Sequence, residues 1–321
     1  MHSFNELLEQ FSDFFQTQKF PETPVALYDP CEYFLGIGGK RIRPICCLMG
    51  NELFGGLHPD VWNVAMAIEL FHNFTLIHDD IMDKSDLRRG KVTVHKKYGE
   101  ETAVLSGDVM LIIAYTYLNK IDASLLRQTM TLFNKTATEV CEGQQHDMDF
   151  EKRNDVQLSE YIEMITLKTS VLLAASLSMG AFLGGASNSS CEKIYDFGKN
   201  LGIGFQVQDD YLDAYGNQDK FGKVIGGDIR RNKKTFLMLY ALEKANAEQK
   251  RALEALLDSD ADDKVARVLD IFDQVGVKQW ALDLKKQYTD KALNALDEIV
   301  VAEERKLPLR ELTFQLLSRD V

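Results

Sequence analysis

The chain has 321 residues, with 37 Lys and Arg against 49 Asp and Glu, a formal net charge of −12, and 45% hydrophobic residues. That length allows one large domain or two small ones, and the composition is that of an ordinary soluble globular protein able to bury a sizeable core. The acidic balance argues against a nucleic-acid partner, because a phosphate backbone needs a basic surface. Small anions remain accessible through local clusters of Lys and Arg, or through divalent metals that bridge carboxylates to phosphates.

The N-terminal stretch MHSFNELLEQFSDFF carries acids and lacks a basic-then-apolar order, so it does not read as a signal peptide. Thr23-Pro24 reads as a cap followed by a first-turn proline. Gly38-Gly39-Lys40-Arg41-Ile42-Arg43-Pro44 forms a cationic loop, and His58-Pro59-Asp60 opens a helix running to about Asp83. No proline occurs between Pro59 and Pro308, which permits helix after helix. Apolar residues recur at spacings of three and four, as in Val61/Val64/Ala65/Ile68 and Val265/Val268/Leu269/Phe272. The pattern predicts further helices over 101–119, 124–148, 158–184, 190–216, 233–258, 261–275, 278–299 and 306–317. The uncharged run Thr169–Cys191 has a length that suits a membrane span. Its strongly apolar part is only Val171–Leu183, ended by Gly184-Gly185, so a buried bundle helix without stable membrane insertion is expected. Strand alternation flanked by hairpin turns, fixed-period repeats and linker-like tracts are not evident, so residues 1–321 read as one all-α domain. Five cysteines, in no zinc or redox spacing, suit reduced thiols in a cytoplasm.

Two clusters carry the chemistry. In Asp79-Asp80-Ile81-Met82-Asp83 the outer aspartates are one helical turn apart, about 6 Å along the axis, and share a face. Carboxylates so close repel unless a cation lies between them, and oxygen-only ligands suit Mg²⁺ with bound phosphates. Asp209-Asp210-Tyr211-Leu212-Asp213 repeats the pattern on another apolar helix. Two such clusters in one bundle can face each other across a central cavity and hold several metal ions around a diphosphate. Cations follow each cluster: Arg88-Arg89-Gly90 after the first, then Lys223 within Phe221–Ile229 and Lys233-Lys234-Thr235 after the second. Glycines admit an anion close to the backbone, and the cations offer charge-assisted contacts.

In combination these motifs resemble the trans-isoprenyl diphosphate synthases, or polyprenyl synthetases. The resemblance runs from Gly38 to Thr235, through GGKRIRP at 38–44, LIHDDIMDKSDLRRG at 76–90, LSGD at 105–108, EGQQHD at 142–147, LKTS at 167–170, FQVQDDYLD at 205–213 and FGKVIGGDI at 221–229. It implies the all-α isoprenoid synthase fold, a single large helical bundle around a catalytic cavity. It also implies magnesium-dependent transfer of an allylic group to isopentenyl diphosphate, by a homodimer. Lys40, Arg43, His72 and Arg89 would bind isopentenyl diphosphate, and Arg88, Lys168, Lys223 and Lys233 the allylic diphosphate. Asp79, Asp83 and Asp209 would anchor magnesium, with Asp80, Asp210 and Asp213 assisting, while Thr169 and Gln206 would line the reacting carbons.

The family sets product length just before the first cluster, at Thr75 and Phe74 here. An aromatic at the fifth position with no insertion in DDIMD resembles the short-chain geranylgeranyl type, with farnesyl next. At about 100° per residue, however, Thr75 lines up with Asp79 whereas Phe74 points aside, so Phe71 and Ile68 are alternative floor residues. A terpene cyclase or a head-to-head synthase would have no use for GGKRIRP. A catalytically inert partner subunit would lack one aspartate cluster, and a longer-chain synthase remains the other alternative.

Overall fold

Helix initiation is visible from the third residue. Ser3 and Glu6 form a reciprocal capping box, with Ser3 Oγ accepting from the Glu6 amide and the Glu6 carboxylate accepting from the Ser3 amide at 2.7 Å. The computed structural model describes residues 1–216, 226–257 and 259–317 and divides into two compact units. The first comprises Met1–Phe133, Ser176–Glu192 and Val301–Pro308; the second comprises Asn134–Ala175, Lys193–Val300 and Leu309–Val321. The class is all-α, as expected.

The first unit opens with α1 (Phe4–Thr17), α2 (Val25–Gly36), α3 (Ile42–Phe54) and α4 (Val61–Met82). A short hairpin, β1 (Leu87–Arg88) and β2 (Lys91–Val92), leads to α5 (Val94–Tyr98) and α6 (Glu100–Leu118). The start of α7 (Ala123–Lys152) completes the run. Helix α4 packs along α6 and α3 and is apolar nearly all round, with Val64, Ala65, Ile68, Leu70 and Phe71 buried. That is the composition of a helix enclosed by others rather than one facing water. The hairpin corrects the expectation of no strands. It is too short for alternation to register, and it rests on a two-residue turn in which Arg89 (φ 51°) and Gly90 (φ 75°) are both left-handed.

The second unit carries the remainder of α7, then α8 (Leu158–Ile165), a π-helical turn (Thr166–Ser170) and the start of α9 (Val171–Leu183). Most of α10 (Asn188–Tyr215) follows, then α11 (Gly227–Arg230), α12 (Phe236–Lys244), α13 (Ala247–Leu257), α14 (Lys264–Gln274), α15 (Val277–Asp297) and the end of α16 (Glu303–Leu317). Val207, Phe236, Leu253 and Phe272 are at the centre of its apolar core. The segment expected as one helix over 158–184 is helical throughout Leu158–Leu183, with the π turn set within it. The one expected over 233–258 breaks at Asn246, whose Oδ1 accepts the Glu248 and Gln249 amides at 2.9 Å and so starts a new helix. Two helices, Glu100–Leu118 and Leu158–Leu183, are long and apolar enough to cross a membrane; 72% of the qualifying window in the second is buried inside the protein.

Candidate active site

The first aspartate cluster occupies the C-terminal turn of α4, with Asp83 as the residue that closes the helix and left-handed Lys84 after it. Backbone carbonyls gather at that end and carry the negative pole of the helix dipole, so three carboxylates there call for cations. One cation is in the chain. Arg88 donates from Nε to both oxygens of buried Asp80, at 2.9 and 2.8 Å. Its Nη2 lies 2.7 Å from Asp80 Oδ1 and 3.6 Å from Asp79 Oδ2. The hairpin turn fixes this contact, because it folds Arg88 back over the helix end.

The cationic loop packs in the same unit. Arg41, left-handed at φ 49°, pairs with buried Glu69 of α4, donates to the Leu35 carbonyl at 2.9 Å and lies over the Phe15 ring. Glu69 also accepts from Asn73 Nδ2 at 2.6 Å, so a carboxylate inside α4 anchors the loop. Arg43 Nη1 is 3.0 Å from His72 Nε2. Burial, and then the charges of Arg43, Arg89, Arg88 and Arg41, hold His72 well below the usual imidazole range. The ring is therefore neutral, and Nε2 accepts from Arg43. The Arg89 guanidinium packs on Gly39, where a Cβ would stand 2.6 Å from Nη1. Four guanidiniums thus surround one neutral histidine, an arrangement suited to a multiply charged anion. Lys40 is exposed on the same loop.

Along α4, Phe71 is fully buried and meets Phe133 of α7 edge-on, with centroids 5.3 Å apart; Phe133 in turn meets Tyr115 of α6 at 5.4 Å. Phe74 is half-buried, between Phe71 at 5.7 Å and His78 at 4.7 Å. Thr75 donates back to the His72 carbonyl. A cavity of about 430 Å³ in this unit is lined on α4 by Met66 and Leu70 and includes none of the assigned residues.

The second cluster lies in the last turns of α10, again at a helix C-terminus. Its middle aspartate is held differently. Asp210 is buried and accepts from Tyr161 OH on α8 and from Gln206 Nε2, both at 2.8 Å. Burial, and then Asp228, push its carboxyl up to about 7, while the Lys233 charge and the two hydrogen bonds oppose the rise. Asp213 is used structurally: its carbonyl accepts the Gly226 amide and its Oδ2 accepts the Asp228 amide at 2.9 Å, which ties α10 to α11. Lys168, on the π turn, donates to Asp147 Oδ2 at 2.6 Å, with half-buried Thr169 beside it. Gly143 of α7 makes that approach possible, since a Cβ there would stand 2.2 Å from the Lys168 amide nitrogen. Such π turns widen a helix and occur often where a side chain must be re-aimed for function. Burial disfavours the charge on Lys233, but Asp147, Asp228 and Asp210 outweigh it and hold the amine above the usual lysine range. Lys234 instead bonds carbonyls at the end of α7, including that of Phe150 at 3.3 Å. Lys223 lies outside the described residues.

Each unit therefore assembles its share of the predicted residues. The predictions missed Arg41, Glu69, Tyr161, Asp147 and Asp228 as individual partners. Glu69 was detectable as an acid inside an apolar helix, and Asp147 and Asp228 fall within quoted motifs, whereas nothing local marks Tyr161. Four of the five cysteines are buried, and Cys141 is exposed. Burial pushes the Cys46 thiol up to about 12.

Paired aspartate clusters on helix ends, each with its own cations, define a helical protein that handles diphosphates. The sequence model of the polyprenyl synthetase family matches residues 24–275, and the chain belongs to that family. It is 38% identical to a short chain isoprenyl diphosphate synthase of Methanothermobacter thermautotrophicus, over 90% of this chain and 86% of that protein. It is 46% identical to a geranylgeranyl diphosphate synthase of Methanosarcina mazei, over 69% of each. A crystal structure of a geranylgeranyl pyrophosphate synthase superposes with a TM-score of 0.95 at 44% identity, covering all of both chains. The expected reaction class, short-chain prenyl transfer, holds.

Proposed function

We propose that this enzyme condenses isopentenyl diphosphate with an allylic diphosphate to give geranylgeranyl diphosphate, with magnesium as cofactor. The observation that carries the reading is the pair of aspartate clusters on helix C-termini, each accompanied by cations in its own unit. The donor chemistry fits the metal. Every assigned ligand is a carboxylate, and among the described residues no three His, Cys, Asp or Glu side chains form a metal cage. Ions held by Asp79 and Asp83, and by Asp209, would complete their shells with phosphate and water, as Mg²⁺ does. When bound, the metal supplies positive charge that draws electron density onto the leaving diphosphate.

The chain's own groups do the rest. Arg43, Arg89 and Lys40 bind isopentenyl diphosphate, and His72 orients Arg43 through its neutral Nε2. Arg88 keeps Asp80 in place and presents its remaining charge to the allylic diphosphate. Lys168 and Lys233 stabilise the diphosphate as the allylic C–O bond ionises. Gln206 and Thr169 line the reacting carbons while the double bond of isopentenyl diphosphate attacks the cation. The proton lost afterwards goes to the released diphosphate. Phe74 closes the product pocket, backed by Phe71, which is locked against Phe133, and this favours a short chain.

A homodimer is part of this reading. Leu105 and Ile112, two turns apart on α6, are 58% and 61% exposed and form an apolar stripe suited to a second copy. The enzyme works in the cytoplasm, where its thiols stay reduced.

Product analysis is the test. With magnesium, isopentenyl diphosphate and farnesyl diphosphate, the expected product is one twenty-carbon diphosphate by mass spectrometry. A chelator should stop the reaction, and turnover without divalent metal would refute the cofactor assignment. Folded protein that condenses nothing would instead favour an inert partner subunit. Phe74→Ala should add at least one isoprene unit to the product. An unchanged product there, with a longer one from Phe71→Ala, would move the floor to Phe71.

A further inference from the structure

The hairpin that delivers Arg88 to Asp80 has a second face. Successive residues of a strand point to opposite sides. Because Arg88 turns toward α4, its neighbour Leu87 turns away. Leu87 is paired in register with Val92, so the two side chains stand together, 61% and 43% exposed. Met82, on the last turn of α4, is 48% exposed. Lys84, Lys96 and Lys97, which flank the hairpin in sequence, are exposed, with Lys96 2.9 Å from Asp86, while Lys91 pairs with Arg88 on the other face. Residues 82–98 carry six Lys and Arg against two Asp, in a chain whose net charge is −12. The platform is stiff as well as basic. Tyr33 OH of α2 donates to the Val92 carbonyl at 2.8 Å, Lys97 lies 3.6 Å over the Tyr33 ring, and Thr93 donates to the Ser85 carbonyl at 2.7 Å.

From this we infer that the outer face of the hairpin docks on an anionic lipid surface. The composition decides between lipid and protein. Protein interfaces are depleted of lysine and bury a broad apolar core. Here three apolar side chains stand in a field of lysines, the pattern of a peripheral lipid contact, in which a few side chains enter the headgroup layer and basic residues meet anionic lipid. The diphosphate-binding assignments do not require Lys84 or Lys96. Docking would hold Arg88 and Arg89, on the same hairpin, at the lipid surface, where a twenty-carbon prenyl product partitions from water. The contact is peripheral, with no helix inserted.

Vesicle flotation tests it with the full-length protein. Two vesicle types are compared: pure phosphatidylcholine, and phosphatidylcholine with about 30% phosphatidylglycerol, at low and high salt. The wild type should float with the anionic vesicles, less at high salt, and not with the neutral ones. A lysine variant, Lys84→Gln with Lys96→Gln, should partition at least about tenfold less. A double variant, Leu87→Ser and Val92→Ser, should lose binding that salt cannot account for, while both variants keep wild-type turnover on soluble substrates. Equal flotation on both vesicle types, no flotation, or wild-type binding by both variants would overturn the inference. So would a double variant whose sedimentation coefficient falls, because the face would then be a contact between protein chains.

Discussion

The two aspartate clusters share a motif and a position on a helix end, yet each secures its middle carboxylate differently. Asp80 is clasped by the charged fork of Arg88, whereas Asp210 is held by two neutral donors, Tyr161 and Gln206. A guanidinium compensates a buried charge, whereas a hydroxyl and an amide orient the group without neutralising it. Burial, and then Asp228, push the Asp210 carboxyl up to about 7, against the Lys233 charge and the two hydrogen bonds. The same spacing of aspartates in DDIMD and DDYLD therefore sets which carboxylates share a helix face and leaves the support behind them to the rest of the fold.

The sharpest way to break the comparison is to remove one of the aspartates proposed to hold the ions from either side. Asp79→Ala and Asp209→Ala should each lower kcat by about 10²–10³-fold or more, with helical circular dichroism unchanged. Normal turnover in either variant would remove that cluster from catalysis. Replacing the supports should cost less, about 10–100-fold, because they act through the group they hold. Arg88→Lys, which keeps the charge but loses the fork, should fall toward the upper end of that range. Tyr161→Phe should fall toward the lower end, since one neutral donor is lost and Gln206 remains. Magnesium titrations of both variants would show the loss as a raised metal requirement; an unchanged requirement would argue that the supports only stabilise the fold.

A separate effect, on stability rather than rate, concerns pH. In the folded chain Asp210 keeps its proton up to about pH 7, whereas an unfolded aspartate releases it near about 3.9. Between those values the folded state binds the extra proton, so stability falls as pH rises across the window, by about 4 kcal/mol at most. Melting of the metal-free protein should show that decline, and Asp210→Asn should flatten it. A variant with the wild-type slope would place the titration elsewhere.

What could be read from the sequence follows from the range of the interactions. Asp79, Asp83 and Asp209 are legible because their spacing is local and helical. Arg88 and Arg89 are legible as cations, but not the turn that aims them, since two residues of strand leave no periodic trace. The break at Asn246 carried a local signal, an N-cap with Gln249 three residues on, which the surrounding apolar rhythm masked. The link between Tyr161 and Asp210 spans 49 positions, and only the packing of α8 on α10 creates it. The π turn at Thr166–Ser170 is likewise invisible, because the room for it is left by a neighbour in α7, Gly143.

That neighbour, Gly143, has a consequence for how the chain tolerates change. It carries no charge, donates no side-chain hydrogen bond and touches no proposed substrate, yet there is no room beside the Lys168 amide for one more carbon. An alanine there, favourable for an isolated helix, would push the π turn outward and displace Lys168 and Thr169 together. Such a variant would behave like an active-site mutant while every reactive group stayed in place. The limit on natural variation at this position is clearance rather than chemistry.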